Sequence, residues 1–367
     1  MNRNWNRGVF ALGAIFLLMI LGSAGCGKKE SAISYIDSIA EPIYTENAED
    51  EENARISNHT GDPQERADSG NTLNQGNEGD EQTDLGGDGD IHLNESENDD
   101  LQVDGGSQNG SSEQYGIQID PMGETLETRI GVPYGYQRVE AQEDSFAHFL
   151  RGYPLKPAGS KVHLYDGSEK ANQNDHVAVF ALPLEDYDLQ QCADSVMRMY
   201  GEYYFATEQY DKIKFHFTNG FLAEYTKWRD GNRITVNGNN VTWVKSKSKD
   251  TSYECLVRYF RTVFCYAGTL SMESESVTTS LQNIKAGDVF LNGGSPGHVV
   301  MVVDVCENEA GKKAFLLAQG YMPAQEFHLL KNPAHSDDPW YYEEEVTYPF
   351  YTPEYVFQEG SLRSLNY

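Results

Sequence analysis

Four residues have the types and the order that hydrolysis of an amide by a thiol requires. Cys192 falls in the first turn of a helical stretch, with Gln191 just before it. His298 heads an apolar run, and Gln319 lies on the next one. Such chemistry needs a thiolate, an imidazole to take its proton, a polar group to orient that imidazole, and donors for the oxyanion. A helix amino terminus favours a thiolate through its partial positive charge. Cys192 is thus read as nucleophile, His298 as general base, Gln319 as the group fixing its tautomer, and Gln191 as oxyanion donor. Each has a plain alternative. Cys192 shares an apolar stripe with Leu189, Val196, Met199 and Tyr203, so it could be a packed core thiol. Cys255, in the first turn of a second helix, competes as nucleophile. Gln319 could serve only to satisfy backbone groups in a sheet.

The elements that must position these groups can be read from periodicity. Residues 287–305 hold two strand-like runs, 288–291 and 298–305, around the glycine-rich loop Gly293-Gly-Ser-Pro-Gly-His298. The second run is nearly all Val and Met, as in a strand buried on both faces. A further strand covers 314–321. A helix is expected at 145–150 and strands at 162–165 and 176–182. The cysteine helix is expected to open at Asp188, with Gln191 three residues on as its capping-box partner. Strands at 212–218 and 221–228 flank Asn219-Gly220, a hairpin turn, and runs at 232–236 and 241–244 extend them into an antiparallel meander. A second helix is expected over 252–267, capped by Thr251, and a polar loop from 268 to 284.

Composition divides the chain. Its 367 residues carry a net charge of −29, but residues 30–115 are acidic and rich in Gly, Asn and Ser, while 117–367 are dense in Tyr, Phe, Val and Leu. Only the second part can bury a core. The amino terminus has Arg3 and Arg7, an apolar run over 9–21, and then Leu21-Gly-Ser-Ala-Gly-Cys26. That pattern describes an export signal, shorter than a spanning helix needs, in which Cys26 would become a lipidated first residue; the alternative is an uncleaved amino-terminal anchor, which also leaves the domain outside the cytoplasmic membrane. The expected scheme is a lipoprotein signal at 1–26, a disordered acidic tether at 27–116 and a folded domain at 117–367. The location is then extracytoplasmic and lipid-anchored, and the lack of a basic stripe argues against nucleic acid as partner. No cofactor is implied. His298, His328, His335, Asp337 and Asp338 are too loosely spaced to make a convincing metal set, and Trp228 and Trp340 suit packing better than sugar binding.

Residues 252–320, with Gly287-Asp-Val-Phe290, the His298-led strand and the strand bearing Gln319, resemble the core of the NlpC/P60 group of papain-like peptidoglycan peptidases. The Gln191-Cys192 pair is similar to that of papain-like and CHAP-type amidases. These resemblances imply an α+β fold, a papain-like core of helices packed on an antiparallel sheet with an added meander. They also imply hydrolysis of cell-wall peptide, or, without a working thiolate, binding of a wall peptide or an envelope protein. Over 131–367 the chain also resembles an uncharacterised family of exported bacterial proteins, a domain of unknown function. The carrying blocks are Gln190-Gln-Cys-Ala-Asp194, Phe217-Thr-Asn-Gly220, Gly293-Gly-Ser-Pro-Gly-His298 and Gln319-Gly-Tyr-Met-Pro-Ala-Gln325.

Overall fold

A computed structural model describes residues 117–367, all within one compact unit. Fifteen strands occur in chain order: β1 Tyr136–Arg138, β2 His176–Val179, β3 Lys214–His216, β4 Leu222–Glu224, β5 Asn232–Asn237, β6 Asn240–Lys245, β7 Ser276–Thr278, β8 Val289–Asn292, β9 His298–Asn308, β10 Lys313–Gln319, β11 His328–Leu330, β12 Tyr341–Tyr342, β13 Phe350–Tyr351, β14 Val356–Phe357 and β15 Leu362–Leu365. The helices are Leu126–Arg129, Phe146–Arg151, Cys192–Ala206, Tyr225–Arg229, Tyr253–Phe264 and Thr269–Ser274. The fold is mixed α+β. Its main sheet runs β2-β11-β10-β9-β8-β15-β7, with β1 added on β9 and β12 on β10, and every pairing is antiparallel.

β9 explains why its sequence is so apolar. Val299, Met301 and Val303 pack with the helices in the larger core, while Val300, Val302 and Val305 join Phe290, Phe315, Phe350 and Phe357 in a second cluster on the opposite face. A strand covered on both sides has no solvent face to alternate toward. Its one charged interior residue, Asp304, is fully buried and accepts from Arg138 Nε and Arg151 Nε, each at 2.7 Å. The second of these ion pairs ties the helix Phe146–Arg151 to the strand.

Several local expectations need correction. The cysteine helix opens at Cys192, not at Asp188: Gln191 is its cap, in extended conformation, and Asp194 Oδ2 accepts the Gln191 N–H at 3.1 Å. Asp188 is instead taken by long-range pairing, its Oδ1 accepting the Ala324 N–H at 2.7 Å. The stretch 221–228 is strand only as far as Glu224, after which Tyr225 and Trp228, both buried and both packed on Tyr259, set a helical spacing. This helix breaks the expected meander into two separate two-stranded sheets, β3-β4 and β5-β6. Within 162–165, His163 and Leu164 form isolated bridges rather than a strand. Ser252, not Thr251, caps the next helix, its Oγ accepting the Cys255 N–H at 3.2 Å. The polar span after 268 contains the helix Thr269–Ser274 and β7.

Candidate active site

The site forms where β9 and β10 part. Their register runs from Glu307–Lys313 to Met301–Ala318 and ends there, so residues 298–300 and Gln319 extend beyond the shared ladder. The amino terminus of the cysteine helix enters at this point. Gly320 lies so close that an added Cβ would fall 2.3 Å from Ser195 Oγ and 3.0 Å from the Gln191 carbonyl oxygen. Only a residue without a side chain lets the strand end and the helix start approach this closely.

Cys192 is the first residue of that helix. Backbone N–H groups of Ala193, Val299 and Cys192 itself act to lower its thiol pKa, but burial, followed by the charge of Asp194, outweighs them and pushes the thiol up to about 11. Val299 is the residue after His298, so the sulfur lies against the backbone that carries the imidazole. Asp194 is itself buried, which raises its carboxyl well above the ordinary range and weakens its repulsion of a thiolate.

His298 Nε2 lies 2.7 Å from Gln319 Oε1. An amide oxygen can only accept, so Nε2 carries the proton and Nδ1 keeps the lone pair. The rings of Tyr321 and Tyr355 lie 4.7 and 4.9 Å from the imidazole, with Phe357 at 6.1 Å. Burial in this aromatic shell lowers the imidazole pKa to about 4, against a smaller opposing effect from Gln319. Burial, followed by the charges of Glu354 and then Cys192, raises the Tyr321 pKa. On its far side, Gln319 Nε2 donates to Glu354 Oε2 at 2.7 Å, and the same oxygen accepts from Lys170 Nζ at 2.6 Å.

Of the residues singled out in the sequence, Cys192, His298 and Gln319 converge at this strand end. Gln191 is adjacent, but its side-chain amide donates to Asp188 Oδ1 at 3.0 Å. To serve an oxyanion it would have to leave that bond, whereas the backbone N–H groups at the helix start already face the sulfur. Gln190 is wholly buried, held between Arg198 Nη1 and the Pro183 carbonyl oxygen. Cys255 is fully buried in its own helix, where burial and then the charge of Asp250 raise its thiol pKa against Arg233, Arg258 and Arg229. Trp228 and Trp340 are buried packing residues. His335 pairs with Glu345, and among the described residues no group of three or more His, Cys, Asp or Glu side chains could hold a metal. Glu354, Lys170 and Tyr355 carry no signal in the sequence, because they arrive from loops and the tail without periodicity, and Tyr321 lies just past the end of β10 rather than within it. Cys26 and the expected signal and tether lie outside the described residues.

A family profile covers residues 126–364, more than half the chain and nearly all of the described fold. The chain belongs to the family described as Domain of unknown function (4846). That span includes every residue of the site, from Lys170 and Cys192 to Glu354, so the site belongs to the family's own domain. No curated protein and no solved structure matches the chain.

Proposed function

We propose that the domain is a papain-like cysteine amidase or peptidase acting on the peptide of the cell wall. In this reading it is held outside the cytoplasmic membrane by a lipid on Cys26 and an acidic tether over 27–116. The observation that carries the catalytic part is the placement of Cys192, at the first position of its helix, against the Val299 backbone amide beside His298, whose Nε2 is engaged by Gln319. The raised thiol and lowered imidazole pKa values favour a neutral resting pair rather than a preformed ion pair. Attack would then be base-assisted. As sulfur bonds to the amide carbon, the thiol proton passes to His298 Nδ1, and the resulting imidazolium returns it to the departing amine. Water activated by the same nitrogen then cleaves the thioester.

The test is digestion of purified wall peptides with product analysis by mass spectrometry. Cys192→Ala abolishes release of new amine ends, and His298→Ala reduces it by about 10²- to 10⁴-fold, the range general-base removal costs. Unchanged release by Cys192→Ala would sink the reading.

A second reading, a binding module for wall peptide or an envelope protein, is favoured by the low exposure of Cys192 and His298, 6% and 2%. Peptide binding retained by Cys192→Ala, with no turnover by the wild type, would select it.

A further inference from the structure

Glu354 does more than close a surface ion pair. It comes from the tail between β13 and β14, and its backbone carbonyl oxygen also accepts from the Tyr321 hydroxyl at 3.3 Å. One carboxylate oxygen takes both the Gln319 amide and the Lys170 ammonium, whose side chain is only 9% exposed. His328 Nε2 stands 3.9 Å from that oxygen. It is no competing donor, since His328 Nδ1 lies 2.8 Å from the Glu326 carbonyl oxygen and must therefore carry the ring proton. The two ends of the Gln319 amide have nearly the same shape and opposite hydrogen-bonding character. Gln319 alone could present either end to His298, and the two orientations would select opposite imidazole tautomers.

We propose that Glu354, held by Lys170, is the positioning residue of the site: as an obligate acceptor it turns the Gln319 amide so that Oε1 faces His298, and so keeps the lone pair on His298 Nδ1. This inference rests on the base role proposed for His298. Lys170, Glu354, Gln319 and His298 then form one polar chain in which each donor is matched to one acceptor, with the proton order set from the lysine inward. The aromatic residue next in the tail, Tyr355, packs on the same imidazole, so one short segment both orients the base and covers it.

The test uses full-length protein with ¹⁵N-labelled histidine. Two-bond ¹H–¹⁵N correlations report the tautomer of each ring, and His298 is assigned from the spectrum of His298→Gln. Wild type shows His298 with the proton on Nε2. Glu354→Gln keeps an oxygen that the Lys170 ammonium, a donor only, holds toward the Gln319 amide, and so keeps that pattern. The double variant Lys170→Met, Glu354→Met removes acceptor and cation together, leaving no unpaired buried charge, and the His298 nitrogens move toward each other as both tautomers become populated. Thermal unfolding of each variant confirms the fold. A folded double variant that keeps the wild-type His298 pattern overturns the positioning role while leaving the base role intact. A wild-type spectrum with the proton on Nδ1 overturns the base role, and this inference with it.

Discussion

At the scale of single residues, His298 shows how an apolar surrounding keeps an imidazole neutral and its lone pair free, while making it a weaker base. A lowering from the ordinary 6.5 to about 4 corresponds to roughly 3 kcal/mol favouring the neutral ring. Tyr355 supplies part of the burial that causes it. Tyr355→Ala should raise the His298 pKa by about one unit or more toward the ordinary value, read by NMR titration of the assigned ring; a value still near 4 would place the cause elsewhere. The sequence made part of this site legible. Cys192 in a first turn and His298 and Gln319 on successive strands follow from local periodicity. The residues that finish the site do not: Lys170, Glu354 and Tyr355 reach it only through tertiary packing, and Tyr321, although it falls in the expected stretch 314–321, meets its partner Glu354 only through the tail.

At the scale of elements, the decisive contact is the cysteine helix entering the gap at the end of β10. Gly320 permits it; further along, Gly201 permits a different close approach, to the helix Tyr253–Phe264, where an added Cβ would meet Phe260 Cζ at 2.1 Å. Gly320→Ala should cost about 1–3 kcal/mol in urea unfolding, as overpacking typically does. It should also lower wall-peptide turnover by moving the helix start away from β9. Stability and turnover both at wild-type levels would show that the approach is less tight than described. Elements with one strong signal were readable: β9 by its unbroken apolar run, β3 and β4 by Asn219-Gly220. The helix Tyr225–Arg229 was not, because it is barely one turn long and its aromatic residues are equally at home in strands, and only packing of both Tyr225 and Trp228 on Tyr259 puts them on one face.

For the whole molecule, a sheet buried on both faces places several titratable groups where ionisation is costly. His328, fully buried, has its pKa lowered to about 3, mainly by burial. The unfolded chain takes up this proton first. The stability that His328 contributes is therefore present above pH 6.5 and is lost as pH falls from 6.5 toward 3. Asp194 acts in the opposite sense, since its raised carboxyl pKa adds stability as pH falls through the folded-state value. His328→Gln keeps a donor for the Glu326 carbonyl oxygen and isolates the histidine term. Between pH 6.5 and 4 the wild type should lose about 3 kcal/mol more unfolding free energy than this variant. Equal losses in urea titrations would show that His328 is not held neutral by the fold. No helix among the described residues is long and apolar enough to cross a membrane. The proposed attachment is through Cys26, and lipid release from the intact protein is its own test.

The central claim is that Cys192 is a nucleophile served by His298, and the exposed thiol of Cys265 supplies an internal reference for it. The most direct measurement is peptide-resolved mass spectrometry after reaction of the folded protein with a peptidyl epoxide, an electrophile shaped like an amide substrate. The predicted result is an adduct on Cys192 that forms faster than the one on Cys265 and slows at least about tenfold in His298→Ala. Modification of Cys265 alone, or a Cys192 rate indifferent to His298, would contradict the account.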